Sequence, residues 1–202
     1  MRIIDILTTG GTIDKIYFDQ KSAYEVGDPI IGPLLTSMNV GFDFTVEQLM
    51  RVDSLDMTDA DRFIIYERTK RSSSQQVLIT HGTDGMIKTA QRLSKIKGKT
   101  IVLTGSLQPA AFAHNDAVFN IGAAVSAVQT LGFGVYLAMN GQIFTPDTVV
   151  KNLDKNRFEQ KPADAAGRLA PSQIPPDRFT KQGHFSPKAA PTHNEAAALQ
   201  RS

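Results

Sequence analysis

Four short apolar runs, Ile3-Ile4-Asp5-Ile6-Leu7, Gln76-Val77-Leu78-Ile79, Thr100-Ile101-Val102-Leu103 and Val135-Tyr136-Leu137-Ala138-Met139, alternate with stretches of helical periodicity. This alternation constrains the fold more than any other feature. Two runs separated by a helix cannot close as a hairpin, so they pair in parallel through a crossover. The helix candidates span residues 58–71, 84–94 and 116–131, the last with Val118, Ile121, Val125 and Val128 on one stripe. The pattern predicts an α/β fold: a three-layer, mostly parallel, doubly wound sheet of the Rossmann or flavodoxin-like kind. Such sheets bind ligands in the crevice outside the carboxyl ends of their strands, so functional residues are sought where each strand stops.

Composition narrows the chemistry. The 202 residues are 41% hydrophobic and 21% charged, ordinary values for a globular domain with a core. There is no cysteine, which excludes disulfides, thiolate metal ligands and a cysteine nucleophile and leaves hydroxyls, carboxylates, lysines and four histidines. Residues 1–157 carry 16 basic and 16 acidic side chains. That neutral body offers no footprint for nucleic acid. No stretch matches the length of a membrane helix, and Asp5 stands where a signal peptide would be apolar, so the expected location is cytoplasmic with no membrane contact. Six of the ten prolines fall at Pro162, Pro171, Pro175, Pro176, Pro187 and Pro191. A folded domain is expected over residues 1–157, followed by a Pro/Ala-rich, mostly disordered tail over 158–202 with one weak helix at 194–201.

Three strand ends present Thr or Ser beside Gly. The first continues as Thr8-Thr9-Gly10-Gly11-Thr12-Ile13-Asp14, the second as Thr80-His81-Gly82-Thr83-Asp84-Gly85, and the third as Thr104-Gly105-Ser106. The first lacks the lysine of a Walker A loop and is not G-x-G-x-x-G, and by itself it reads equally well as a plain turn. Thr83 or Asp84 also fits the N-cap of the following helix. Taken together, hydroxyls gathered at one crevice suggest a nucleophile site without cysteine.

Thr9-Gly10-Gly11-Thr12-Ile13, followed some seventy residues on by Ile79-Thr80-His81-Gly82-Thr83-Asp84, resembles the paired signature of the bacterial-type L-asparaginase family. Further matches follow in order. Lys21-Ser22-Ala23-Tyr24-Glu25-Val26-Gly27 resembles the family's mobile active-site loop, and Asp53-Ser54-Leu55-Asp56-Met57 its substrate-carboxylate loop. Asp116-Ala117-Val118-Phe119-Asn120 resembles a helix start of the family, and Val149-Val150-Lys151 falls where it places a lysine. The resemblance spans residue 2 to about 157 and stops where the family's smaller C-terminal domain would begin; the chain looks most like short, one-domain relatives.

The resemblance implies hydrolysis of the L-asparagine side-chain amide through a threonine nucleophile and an acyl-enzyme ester, with weak glutaminase activity also within its scope. By motif position, Thr12 attacks the amide carbon and Tyr24 receives or relays its proton, while Thr83, Asp84 and Lys151 form a second hydroxyl–carboxylate–amine group. Ser54 matches the ligand of the substrate α-carboxylate, Asp84 pairs with the α-ammonium, and backbone N–H groups around Gly11 and Thr83 serve as oxyanion donors. No metal or organic cofactor is implied. His81 reads as a scaffold residue rather than a general base, and His114 has no assigned role.

Two positions depart from the family pattern. Leu55 stands where the larger enzymes carry a glutamine near the substrate amine, and a leucine can neither donate nor accept a hydrogen bond. Gly85 stands where a second threonine is common. In the larger members of the family the second domain supplies, from a neighbouring subunit, an acid that helps bind the substrate ammonium, and the resemblance, which ends at about residue 157, does not extend to that contact. Two other classes compete: a catalytically silent amino-acid-binding module, and an interaction protein in which the tail matters most. A homodimer or higher homo-oligomer is expected, with the face of the 116–131 helix carrying Ala123, Ala124 and Ala127 as the candidate interface and core packing as the competing explanation.

Overall fold

The computed structural model describes residues 3–18, 23–53 and 55–162. The tail beyond them, with the helix expected at 194–201, lies outside the described residues, as does Ser54. In chain order the elements are β1 (Ile3–Thr8), a 3-10 turn (Thr12–Asp14), β2 (Lys15–Phe18), β3 (Ala23–Val26), α1 (Ile31–Ser37), β4 (Asp43–Gln48), α2 (Asp59–Arg71) and β5 (Gln76–Thr80). There follow α3 (Met86–Leu93), β6 (Thr100–Thr104), α4 (Ala117–Thr130), β7 (Gly134–Met139), β8 (Gln142–Phe144), β9 (Val149–Asn152) and β10 (Arg157–Gln160).

The central sheet has the order β4-β1-β5-β6-β7-β8. All of its pairings are parallel except that of β8, which turns back antiparallel on β7. Numbered along the chain, the parallel strands run 2-1-3-4-5, so the order reverses between β1 and β5. The crevice outside that reversal is where a doubly wound sheet binds its ligand.

The four apolar runs are continuous because both faces of the sheet are covered. Alternate residues feed two cores: Leu7, Val77, Ile79 and Leu103 pack on one side with α2 and α3, while Ile6, Leu78, Val102 and Ala138 pack on the other with α1 and α4. β4 is an edge strand of mixed polarity, Asp-Phe-Thr-Val-Glu-Gln, and lacks the apolar run that marks the others. Glu47 in it pairs with Arg68 of α2 at 2.5 Å.

Three expectations are corrected. The second helix begins at Met86 rather than at residue 84, with Gly85 as its N-cap and no side-chain cap bond. Thr83 and Asp84 therefore lie in the turn ahead of it, and neither caps it. The family-like loop around Tyr24 contains a strand, since Ala23–Val26 pairs antiparallel with Lys15–Phe18. On α4, Ala124 and Ala127 are buried with Ile121 and Val128, whereas Val118 is 44% exposed. The alanine face is core, and the inward stripe is rotated away from Val118.

The start of α2 was legible for a different reason. Its buried stripe is the mixed set Arg62, Ile65 and Thr69, but Thr58 and Asp61 form a capping box. A reciprocal pair of this kind satisfies two orphan amides and is worth about 1 kcal/mol.

Candidate active site

At the carboxyl end of the sheet the loops are laced together by backbone bonds. The Thr9 N–H donates to Thr80 O at 3.1 Å, the Val52 N–H to Thr9 O at 3.1 Å, and the His81 N–H to Thr104 O at 2.8 Å. The turn after β1 is thus held between the 49–52 segment and the end of β5. Gly11, at φ +90°, lies so close that a Cβ there would overlap the backbone of Gly82. This contact explains the glycine pair: it brings the Thr12 turn against the loop that carries Thr83, at the point where strand order reverses.

Thr83 is buried, and its Oγ1 accepts a hydrogen bond from Lys151 Nζ at 2.8 Å. The same ammonium lies 2.6 Å from Asp84 Oδ1. Residues 67 and 68 positions apart are therefore brought into one group. Lys151 stands on the β9–β10 hairpin, outside the main sheet, and a buried polar relay holds that hairpin in place. Asn120 Nδ2 donates to Gly105 O at 3.0 Å and to Asp116 Oδ2 at 2.8 Å, while its Oδ1 accepts from the Asn140 N–H at 3.1 Å. Asn140, in the left-handed region at φ 53°, then accepts from the Phe158 N–H at 2.9 Å. Phe158 is buried and faces Lys151 across the hairpin register. On the outer surface of the ribbon, Asn152, Arg157 and Lys155 hold the Glu159 carboxyl down to about 2.

His81 is buried beneath this group. Its Nδ1 lies 2.8 Å from Gly82 O, which can only accept, so Nδ1 carries the proton and Nε2 accepts from the Thr89 hydroxyl at 2.8 Å. Burial lowers its pKa to about 4, with Arg62 adding to the effect. Both ring nitrogens are engaged, so the imidazole braces α3 against the Thr83 loop.

The other half of the crevice is built differently. Thr12 is half-buried at the start of the 3-10 turn. Tyr24 is opposite Tyr17 across the β2–β3 ribbon and half exposed. Its ring is flanked by the edges of Tyr17 at 5.4 Å and Phe112 at 5.9 Å between centroids. Among the described residues no direct bond joins the side chains of Tyr24 and Thr12; the hairpin base connects them. Lys15 Nζ lies 2.5 Å from Asp53 Oδ2, and the Leu55 N–H donates to Asp53 Oδ1 at 3.2 Å. These bonds fasten the 53–55 segment to β2, with the Leu55 side chain 78% exposed.

The sequence reading missed Asp14, Asn120 and Asn140. Asp14 is buried immediately after the Thr12-Ile13 pair, and its carboxyl is raised to about 6 by burial, against a bond from the Ile30 N–H. A carboxylate inside a Gly-Gly-Thr-Ile turn was the available signal. Asn120 stood in the family-like helix start without a role, and Asn140 gave no signal, because their bonds to Gly105, to each other and to Phe158 span 15 to 20 residues.

Two hollows differ in meaning. The larger, about 1350 Å³, is lined by Ile3, Gln76 and Thr100 at the amino ends of the strands. It lies across the sheet from Thr12, Thr83 and Lys151. A smaller one of about 420 Å³ adjoins Asp84 and is lined by Leu55, Thr58, Arg62 and Lys88. Among the described residues no cluster of three His, Asp or Glu is arranged to hold a metal, and no helix is long and apolar enough to cross a membrane.

Comparison with known proteins bears on the family. Residues 3–174 match the family model of the asparaginase N-terminal domain. The chain is 32% identical over 160 residues to a probable periplasmic L-asparaginase of Haemophilus influenzae, an alignment covering 73% of this chain and 46% of that protein. It is 30% identical over 163 residues to a glutaminase-asparaginase of Acinetobacter glutaminasificans, covering 74% and 49%. The crystal structure of a probable cytoplasmic L-asparaginase from Campylobacter jejuni superposes with a TM-score of 0.68 at 31% identity, over 79% of this chain and 53% of that one. The chain spans about half the length of the curated relatives it matches. With the paired threonine motifs meeting at the switch point of the sheet, the chain belongs to the asparaginase family.

Proposed function

We propose that the protein hydrolyses the side-chain amide of L-asparagine to L-aspartate and ammonia, with Thr12 as nucleophile. The observation that carries this reading is the Lys151 ammonium held between Thr83 Oγ1 and Asp84 Oδ1, on the loop against which the Thr12 turn packs. In this reading Thr12 Oγ1 attacks the amide carbon, Tyr24 relays the hydroxyl proton to the departing nitrogen, and ammonia leaves behind an ester. Water then attacks the ester, the Thr83–Lys151–Asp84 group takes and returns its proton, and aspartate departs with Thr12 restored. N–H groups around Gly11 and Thr83 stabilise the oxyanion, a kind of contact worth about 3 kcal/mol or more in the transition state. Ser54 and Asp84 bind the α-carboxylate and α-ammonium. Leu55, bare of hydrogen-bonding groups, relaxes selection between asparagine and glutamine, which differ by one methylene worth about 1–3 kcal/mol.

The same reading makes the tail dispensable for chemistry and extends the catalytic unit from the expected residue 157 through the end of β10. Because Phe158 is core and β10 ends at Gln160, the truncation that tests this is made after Pro162. It also includes a homodimer, since Tyr24, Leu55 and part of Asp84 face outward and a second copy would shield them. Sedimentation across micromolar concentrations tests that expectation. Cytoplasmic location is tested by fractionating the native cells.

The deciding experiment is ammonia release from L-asparagine, L-glutamine and D-asparagine by the purified chain beside Thr12→Ala and Thr83→Ala. Turnover of L-asparagine that vanishes in both variants supports the proposal. Background ammonia with calorimetric binding of asparagine replaces the enzyme with an amino-acid-binding module.

A further inference from the structure

We propose that Asp14 is a positioning residue: its carboxylate and backbone close the base of the β2–β3 hairpin and so set where Tyr24 stands relative to Thr12. The inference rests on the reading of Thr12 and Tyr24 as reacting groups. Asp14 makes three bonds to three separate points of the chain. Its N–H donates to Gly11 O at 3.2 Å, its carbonyl accepts from the Gly27 N–H at 2.8 Å, and its Oδ1 accepts from the Ile30 N–H at 3.1 Å. The first ties it to the nucleophile turn, the second to the residue just past β3, and the third to the segment entering α1. Both feet of the hairpin are thereby held by one residue two positions from Thr12. The ribbon that carries Tyr24 is thus tied to the turn at its base, beside the Lys15–Asp53 ion pair and the Phe112 edge.

The carboxylate is an unusual choice for the task. Asp14 is 2% exposed beside the buried Ile13 and Ile31, and burial raises it to about 6 although the Ile30 N–H favours the ionised form. Among the described residues, the following charged groups on the surrounding elements are engaged elsewhere or face water. Lys15 pairs with Asp53, Arg51 with Asp28, Asp116 accepts from the Leu107 N–H, and His114 is exposed. The bond to Ile30 is charge-assisted when Asp14 is ionised and an ordinary neutral one when it is protonated. Burial outweighs that bond, so the ionised carboxylate is the costlier form in the closed base, and the hairpin base tightens as pH falls through about 6.

The test uses the full chain and two readouts. Hydrogen exchange at the Gly27 and Ile30 amides, corrected for intrinsic rates, is followed from pH 7.5 to 5 in the wild type and in Asp14→Asn. The asparagine analogue keeps an acceptor for Ile30 and cannot titrate. Wild-type protection is expected to rise as pH falls through about 6, and the variant's is expected to stay level. In parallel, kcat for asparagine at pH 7 is expected to fall roughly fivefold in Asp14→Ala, which leaves the Ile30 N–H without its acceptor, with KM nearly constant and most of the rate kept in Asp14→Asn. Protection that is flat with pH in the wild type overturns the proposal without reference to any variant, as does a kcat in Asp14→Ala equal to that of the wild type. Titrating protection in a chain that releases no ammonia supports the hairpin clamp and overturns the enzyme reading instead.

Discussion

The two walls of the crevice are built on opposite principles. The Thr83 wall stands at the end of central strand β5, and its lysine arrives on a hairpin tied through Asn120 and Asn140 to the core. The Thr12 wall continues into a two-stranded ribbon outside the main sheet, with Tyr24 and Tyr17 half exposed. Each wall contains one buried titratable group, and the two have opposite linkage to stability. His81 has a folded pKa of about 4 against an ordinary 6.5, so the unfolded chain takes its proton first and stability falls as pH drops through that window. Asp14 has a folded pKa of about 6 against an ordinary 3.8, so the folded chain takes its proton first and stability rises as pH drops. Each slope is about 1.4 kcal/mol per pH unit, and the two oppose between pH 4 and 6. One wall is braced at the cost of acid sensitivity; the other is held by a carboxylate that costs stability when ionised.

The largest expected effect distinguishes chemistry from bracing. Lys151→Met keeps an apolar stem beside Phe158 and removes the ammonium from Thr83 and Asp84, so steady-state kinetics should show kcat lower by about a thousandfold with the melting temperature little changed. A loss of only a few fold would remove the Thr83 wall from the reaction. Next is Asn120→Leu, which strands the Gly105 carbonyl and the Asn140 amide in the core and should cost about 2–4 kcal/mol by urea unfolding. A neutral result would mean the Lys151 hairpin is held by apolar burial alone.

The third prediction bears on the opposed titrations. In Asp14→Asn the His81 slope is unmasked, so stability should decline by about 1.4 kcal/mol per pH unit from pH 6 to 4 relative to the wild-type profile. Parallel urea midpoints for the two proteins at pH 4.5, 5.5 and 6.5 would break the comparison. The smallest effect is Phe112→Ala, which removes one edge contact from Tyr24, worth about 1 kcal/mol, and should lower kcat a few fold while leaving the unfolding midpoint of the sheet in place. Equal loss of stability and activity would mean that Phe112 supports the fold rather than the tyrosine.

Much of this was legible because it is written locally. The continuous runs at Val77-Leu78-Ile79 and Ile101-Val102-Leu103 read as strands covered on both faces, and the glycines before Thr12 marked a sharp turn whose close approach to Gly82 the structure then supplied. β4 was not legible, since an edge strand of alternating polarity resembles a loop until Arg68 is seen across from Glu47. The inward stripe of α4 was misread because Val118, apolar in sequence, turns outward while Asn120 turns in to serve three partners.

The sequence by itself determined the α/β alternation, the strand ends at which chemistry is placed, and the set of hydroxyl, carboxylate and amine groups found there, because propensity, periodicity and turn residues act within a few positions of each other. The tertiary structure supplied the bonds from Lys151 to Thr83 and Asp84 and those that engage both nitrogens of His81, and it alone decided that Asp14 is buried at the hairpin base. Those outcomes depend on desolvation and on contacts between distant segments, and neither exists until the sheet has closed around them.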